Sequence, residues 1–229
     1  VHDRVIFAGD SAHIVSPFGA RGGNGGIQDI DNLCWKLALV VQGEAPASLI
    51  ETYDEERVHG ADENILNSAR STSFMTPKSE MERIFRDSIL ELSQEHDFAR
   101  RLVNSGRLSK PCSLAGCTLQ AAWDGESPLA PGEAMADAPV RVEARTLLAV
   151  DCDPPIGLPA GLHVVQVTQP GASAVDGVEH VEDSAGAVAA RYGAGRLYLL
   201  RPDQHVAAVF RQPDAHEIAA AMTHAMGRE

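Results

Sequence analysis

The chain has 229 residues, of which 44% are hydrophobic and 22% charged, and its formal net charge is −13. That length suits two domains with buried cores. An acidic surface of this size disfavours nucleic-acid backbones and anionic lipid, and no apolar run approaches the roughly 20 residues of a membrane span.

The chain opens on Val1, not Met, and enters an apolar run almost at once, which reads as a fragment of a longer protein. Residues 4–8 are short, apolar and stopped by Gly9-Asp10, the pattern of a buried strand. Residues 11–26 hold Pro17 and five glycines and read as a loop. A helix is expected over residues 26–41, where Ile27, Ile30, Leu33, Cys34, Leu37, Ala38 and Val41 recur at helical spacing, with Gly43 as its stop. Residues 46–53 form a helical turn. Residues 54–73 form a longer helix, with Val58, Ala61, Ile65 and Ala69 facing inward. Thr76-Pro77 breaks it, and Ser79 with Glu82 makes a capping box for a helix towards Leu92. Residues 97–103 form a further turn that Gly106 ends.

After Lys110-Pro111 the texture becomes strand-like. Residues 144–150 and 162–167 read as buried strands, 184–192 as a short helix, 196–211 as a hairpin around Pro202-Asp203-Gln204, and 213–226 as a terminal helix. This order suggests a compact second domain with a central sheet. The division expected is 1–108 and 109–229.

Four cysteines are present, at 34, 112, 117 and 152. None forms a C-x-x-C pair or meets a histidine at zinc spacing, so no metal site is expected. Cys34 reads as a small buried hydrophobe. A disulfide between Cys112 and Cys117 is one alternative; without a secretion signal, a reducing cytoplasm is the expected compartment.

The stretch from Gly9 to Lys36 carries the chemistry. A strand-like run ends in Asp10, and a glycine-rich loop leads into a helix N-terminus. Glycines admit a flat ligand close to the backbone, and the helix end offers N–H groups and partial positive charge. Neither the Gly-Lys-Ser/Thr of a P-loop nor a G-x-G-x-x-G turn is present. A ring that develops negative charge fits this site at least as well as a phosphate does.

Three motifs in this order, Gly9-Asp10-Ser11-Ala12-His13, Pro17-Phe18-Gly19-Ala20-Arg21-Gly22-Gly23-Asn24 and Asp29-Ile30-Asp31-Asn32-Leu33-Cys34-Trp35-Lys36-Leu37, resemble the second FAD motif of the class A flavoprotein aromatic hydroxylases. Tyr53-x-x-Glu56-Arg57 matches the family's pattern downstream, and Gly19-Ala20-Arg21-Gly22 stands where many members have Gly-Gly-Gln-Gly. The resemblance implies an α/β fold: the helical tail of a flavin-binding domain, then a thioredoxin-like α/β domain. Residues 109–229 lack the C-x-x-C of a working thioredoxin, which implies a structural or dimer-contact role.

By the same resemblance, Asp10 accepts a hydrogen bond from the ribityl chain of FAD. Pro17 lies by the reactive edge of the flavin, and Gly22, Gly23 and Asn24 present N–H groups to its pyrimidine edge. Arg21 adds positive charge where the flavin becomes anionic. His13 reads as structural, Trp35 as core packing and Arg57 as an ion-pair member. Asp29 and Asp31 read as carboxylates in the first turns of the helix that favour its dipole.

The implied activity is NAD(P)H- and O2-dependent hydroxylation of a phenolic substrate through a flavin C4a-hydroperoxide, with the chain alone inactive. Two alternatives stand beside it: a flavin epoxidase or Baeyer–Villiger-type oxygenase, and a non-catalytic thioredoxin-like interaction module.

Overall fold

A computed structural model describes residues 1–17, 21–103, 111–121, 123, 125–143 and 145–228. The expected stop at Gly106 and the expected boundary at 108/109 lie outside these, as do Phe18, Gly19 and Ala20 of the glycine-rich motif. In chain order the elements are α1 (Arg21–Val41), α2 (Glu51–Met75), α3 (Glu80–Leu92), α4 (Asp97–Val103), β1 (Thr146–Val150), β2 (His163–Thr168), β3 (Glu179–Glu182), α5 (Ala187–Tyr192), β4 (Arg196–Leu200), β5 (Val206–Phe210) and α6 (Ala215–Ala225). Short 3-10 turns lie at Gly9–Ser11 and Ala47–Ile50. No described helix is long and apolar enough to cross a membrane.

The chain divides into two compact units. One comprises Val1–Ile30 and Arg57–Cys112, the other Asp31–Glu56 and Ser113–Glu229. The two long helices α1 and α2 each give part of their length to both.

In the first unit, residues 4–8 form no strand. A single bridge joins His2 to Val5, and Val5 and Phe7 are about half exposed, at 53% and 49%. The run is apolar enough for a strand, but among the described residues no strand pairs with it, and an isolated strand is unstable. The Ser79–Glu82 capping box forms as expected: Glu82 N–H donates to Ser79 Oγ, and the Glu82 carboxylate accepts from Ser79 N–H at 3.0 Å.

The second unit is built on a five-stranded sheet of order β3-β2-β1-β4-β5. β1, β2 and β3 are parallel, and β4 and β5 run antiparallel to their neighbours. β3 is a strand that the sequence pattern did not suggest, because its side chains are exposed or half-buried and leave no apolar alternation to read. Central β1 is apolar on both faces, as a doubly covered strand must be. Leu148 and Val150 join Val165, Val167, Tyr198 and Leu200 on one face. Leu147 and Ala149 join Leu197 and Ile218 of α6 on the other. Cys152 follows β1, where burial pushes its thiol up to about 11, so thiolate is scarce at neutral pH. All four cysteines stand outside any disulfide.

The same unit holds a buried charge cluster. Glu56, fully buried, accepts from Lys36 Nζ at 2.7 Å, Asn32 Nδ2 at 2.8 Å, Gln120 Nε2 at 3.1 Å and Arg201 Nη2 at 2.9 Å. Arg201, itself buried, also donates through Nε to Asp203 Oδ1 at 3.0 Å, and Asn32 Nδ2 reaches Asp203 at 3.1 Å. Two cations and two carboxylates balance. Burial raises the Glu56 carboxyl, yet Arg201 and Lys36 together hold it at about 2. Lys36 shares that one carboxylate with Arg201, so for it burial wins and its ammonium falls to about 8. The Pro202-Asp203-Gln204 turn therefore does more than reverse the chain. Gln204 takes a left-handed φ of 60°, and the turn holds Asp203 at the guanidinium.

Glu56→Ala would leave two buried cations with a single carboxylate, and removing one member of such a group costs about 3–5 kcal/mol. Urea denaturation should report a loss of that order. Glu56 has a folded pKa of about 2 against an ordinary 4.5. Its contribution is therefore complete above about 4.5 and lost as pH falls towards 2. Stability measured across that window should decline in the wild type, and the decline should be shallower in Glu56→Gln.

Candidate functional site

Helix α1 begins at Arg21, five residues before the expected start. Gly22, Gly23, Asn24, Gly25 and Gly26 are thus its first turns and not a loop. The cost is real, since each glycine within a helix is unfavourable by roughly 0.5–1 kcal/mol against alanine. Gly25 and Gly26 have a packing reason. A Cβ on Gly25 would stand 3.1 Å from His13 Cε1, and one on Gly26 would stand 3.4 Å from Gly9 Cα. Gly22 and Gly23 do not: nothing described lies within 4 Å of a Cβ at either, and neither has a positive φ.

The buried stripe of α1 is polar. Gly25, Asp29, Asn32 and Lys36 are buried with Leu33, whereas Ile27, Ile30, Leu37 and Val41 are exposed and so is Cys34. α2 does the same, burying Glu56, Arg57, Asn64 and Ser68 with Tyr53 and Ala61. Val58, Ile65 and Ala69, expected inside, are exposed; only Ala61 faces in as expected. The apolar periodicity located both helices and misassigned their inner faces, because buried charges and amides that satisfy one another occupy those faces.

Asp29 organises the loop. Placed two turns into α1, it is fully buried and satisfied by side-chain and backbone partners, beyond any part it takes with the helix dipole. Its Oδ2 accepts from Gly9 N–H at 2.7 Å and contacts His13 Nε2 at 2.8 Å, and its Oδ1 accepts from Arg57 Nε at 2.7 Å. Burial alone would raise its pKa, but the Gly9 N–H and the Arg57 guanidinium outweigh it and the net shift is downward. Arg57 is the expected ion-pair member, and His13 has the expected structural role. Gly9 needs its left-handed φ of 58° to present its N–H here.

The consequence falls on the next residue. With Gly9 anchored to Asp29 and seated against Gly26, Asp10 is carried exposed beside the opening turns of α1. Ser16 Oγ hydrogen-bonds Thr72 Oγ1 of α2 at 3.1 Å, which fixes the chain just before exposed Pro17. Arg21 is buried, and its Nη1 donates to Asn64 Oδ1 at 2.8 Å. Gly23 and Asn24 are exposed and Gly22 is half-buried. The residues suggested for flavin contact thus lie on one short loop and one helix start. Sequence reasoning missed the weight of Asp29, whose signal was its position in the Asp-x-x-Asn-Leu motif. Trp35, read as core, is partly exposed and receives the Arg201 guanidinium over its ring at 5.2 Å.

Residues 1–68 match the family model described as FAD binding domain. Over 88 residues the chain is 46% identical to Tetracenomycin A2 monooxygenase-dioxygenase of Streptomyces glaucescens, a match covering 38% of this chain and 16% of that protein. It is 39% identical over 88 residues to 3-(3-hydroxy-phenyl)propionate/3-hydroxycinnamic acid hydroxylase of Comamonas testosteroni, covering 38% and 15%. Among solved structures, OxyS anhydrotetracycline hydroxylase from Streptomyces rimosus aligns with a TM-score of 0.62 at 26% identity, over 99% of this chain and 45% of that one. RebC with bound 7-carboxy-K252c aligns with a TM-score of 0.66 at 22% identity, over 100% and 46%, and shows the shared fold. The chain therefore spans less than half the length of these structures, and the likeness to an FAD-binding domain is carried by its first 68 residues.

Proposed function

We propose that this chain forms the flavin-ring side of an FAD- and NAD(P)H-dependent monooxygenase that hydroxylates a phenolic or related aromatic substrate. The observation that carries this is the pair Gly22 and Gly23. Both sit in a helix where alanine would be favoured, both face open space, and packing among the described residues requires neither. Such a surface lets a flat ring come close to backbone N–H groups.

In this reading Gly22, Gly23 and Asn24 direct N–H groups to the pyrimidine edge of the flavin, in line with the α1 dipole. Asp10, held out by the Gly9–Asp29 bond, accepts from a ribityl hydroxyl. Arg21, fixed on Asn64, supplies positive charge where negative charge develops, and preorganised groups of this kind are a large catalytic contribution. Pro17 borders the substrate. The flavin, when bound, supplies electron transfer from NAD(P)H and activation of O2. The division at 108/109 with a thioredoxin-like second part is kept as part of this reading, that part serving stability or contact between copies. By itself the chain is expected to hold FAD weakly, because it has no G-x-G-x-x-G turn for the pyrophosphate.

A flavin epoxidase or Baeyer–Villiger-type oxygenase is the second reading, favoured by the 46% likeness to a monooxygenase-dioxygenase. Product analysis separates the two: hydroxylation leaves the carbon skeleton intact, whereas Baeyer–Villiger chemistry inserts oxygen into a carbon–carbon bond.

Gly22→Ala and Gly23→Ala should each raise the stability of the chain by roughly 0.5–1 kcal/mol. In a protein of the relatives' full length carrying this segment, the same changes should lower flavin retention on gel filtration. Destabilisation with retention unchanged would mean that these glycines serve packing and not a ligand. Asp10→Ala in that protein should weaken FAD binding by a charge-assisted hydrogen bond, about 1.5–3 kcal/mol, read by flavin fluorescence. Unaltered affinity would remove Asp10 from the site.

A further inference from the structure

A second cluster of chemistry-bearing side chains lies in the first unit, and the flavin reading uses none of them. His59 and Glu63 stand four residues apart on α2, hence on one face of the helix. Cys112, in the segment that follows α4, is buried, and its Sγ donates to Glu63 Oε2 at 2.8 Å. The ligand atoms of all three residues lie within 4.8 Å of one another. No C-x-x-C or close Cys/His spacing announces this set; the fold brings Glu63 and Cys112 together across 49 residues of chain.

We propose that His59, Glu63 and Cys112 form a binding site for a divalent transition-metal ion, zinc above all. The donor chemistry selects the metal. A thiolate, an imidazole and a carboxylate together suit zinc, whereas magnesium and calcium take oxygen donors alone. Tetrahedral zinc with bonds of about 2.0–2.3 Å sets its donors roughly 3.5 Å apart. Reaching that spacing needs Cys112 and Glu63 to part by under about 1 Å, and the exposed His59 ring at the mouth closes on them by rotation about its side-chain bonds. The thiol proton that now points at Glu63 passes to solvent as the metal takes its place. The resulting thiolate and carboxylate neutralise the dication, and water fills the fourth position. Bound metal would clip the segment at Cys112 onto α2 and stabilise the folded state by mass action.

The test uses the tag-free full chain, reduced, stripped with a chelator and titrated with zinc chloride by calorimetry. One equivalent should bind, and the melting temperature should rise with it. Losing the hydrogen-bonded partner of a ligand already costs about 10–100-fold in affinity, so C112S and H59Q should each weaken zinc binding by about tenfold or more. Cobalt(II) should give a thiolate-to-cobalt charge-transfer band in the wild type and none in C112S. Should C112S fail to fold, H59Q carries the test, because the native His59 side chain is exposed. Absence of stoichiometric zinc binding, affinity unchanged in H59Q, or magnesium binding as tightly as zinc would each overturn the proposal.

Discussion

Glu56 is the residue on which the second unit turns. A carboxylate with no exposure to solvent is sustainable only if every lone pair is used, and here two cations and two amides from three different parts of the chain use them. The donors come from α1, from the loop at residue 120 and from the turn after β4. Each of those pieces is therefore placed to within hydrogen-bonding tolerance by one side chain. Apolar contacts alone would let the hairpin turn slide; a guanidinium shared between Glu56 and Asp203 does not. The paired ions bring little net stability over a well-packed apolar substitute. What they supply is register, because a displaced partner would strand a buried charge.

The same logic is repeated in the first unit at smaller scale. Asp29 plays the central carboxylate, with Gly9 N–H, His13 and Arg57 as its partners. The two carboxylate clusters use consecutive residues of α2, Glu56 and Arg57, and residues two turns apart on α1, Asp29 and Lys36. The motif Asp-x-x-Asn-Leu-x-Trp-Lys in α1 and the motif Tyr-x-x-Glu-Arg in α2 thus describe two sets of buried ion pairs. One set fixes the loop that carries Asp10. The other fixes the hairpin turn.

This explains what could and could not be read from the sequence. The sheet strands β1, β2, β4 and β5 were legible because each is a buried run dominated by apolar residues, and the α3 capping box was legible because its chemistry is local. β3 was not, since an edge strand with half-exposed polar residues has no pattern that distinguishes it from loop. The extents of α1 and α2 came close, but their inner faces did not: Ile27, Ile30, Val58 and Ile65 are outside, and Asp29, Lys36, Glu56 and Arg57 are inside. Amphipathicity ranks side chains by the cost of desolvation one at a time, and it cannot see that four mutually satisfied polar groups go inside together. The residues proposed to face a flavin were suggested by motif resemblance; the positions of Asp29 and Arg57 supply the physical reason that the loop holds its shape.

The glycines of α1 divide along the same line between structure and ligand. Gly25 and Gly26 are small because His13 and Gly9 stand against them, so their smallness follows from the Asp29 cluster. Gly22 and Gly23 are one turn earlier, on the side where the described chain offers no neighbour, and the helix bears their conformational cost without any packing return. A helix start weakened in this way is costly to keep unless something outside the described residues comes within a methyl group's reach of its backbone. The preceding anchors add a second property: Ser16 and Thr72 fix the chain on one side, and Gly9 and Asp29 on the other. Rigidity of the rim and openness of the floor are the two properties that a preorganised site for a flat, charge-accepting ring requires, and the proposed flavin reading takes the first from Asp29 and the second from the two glycines.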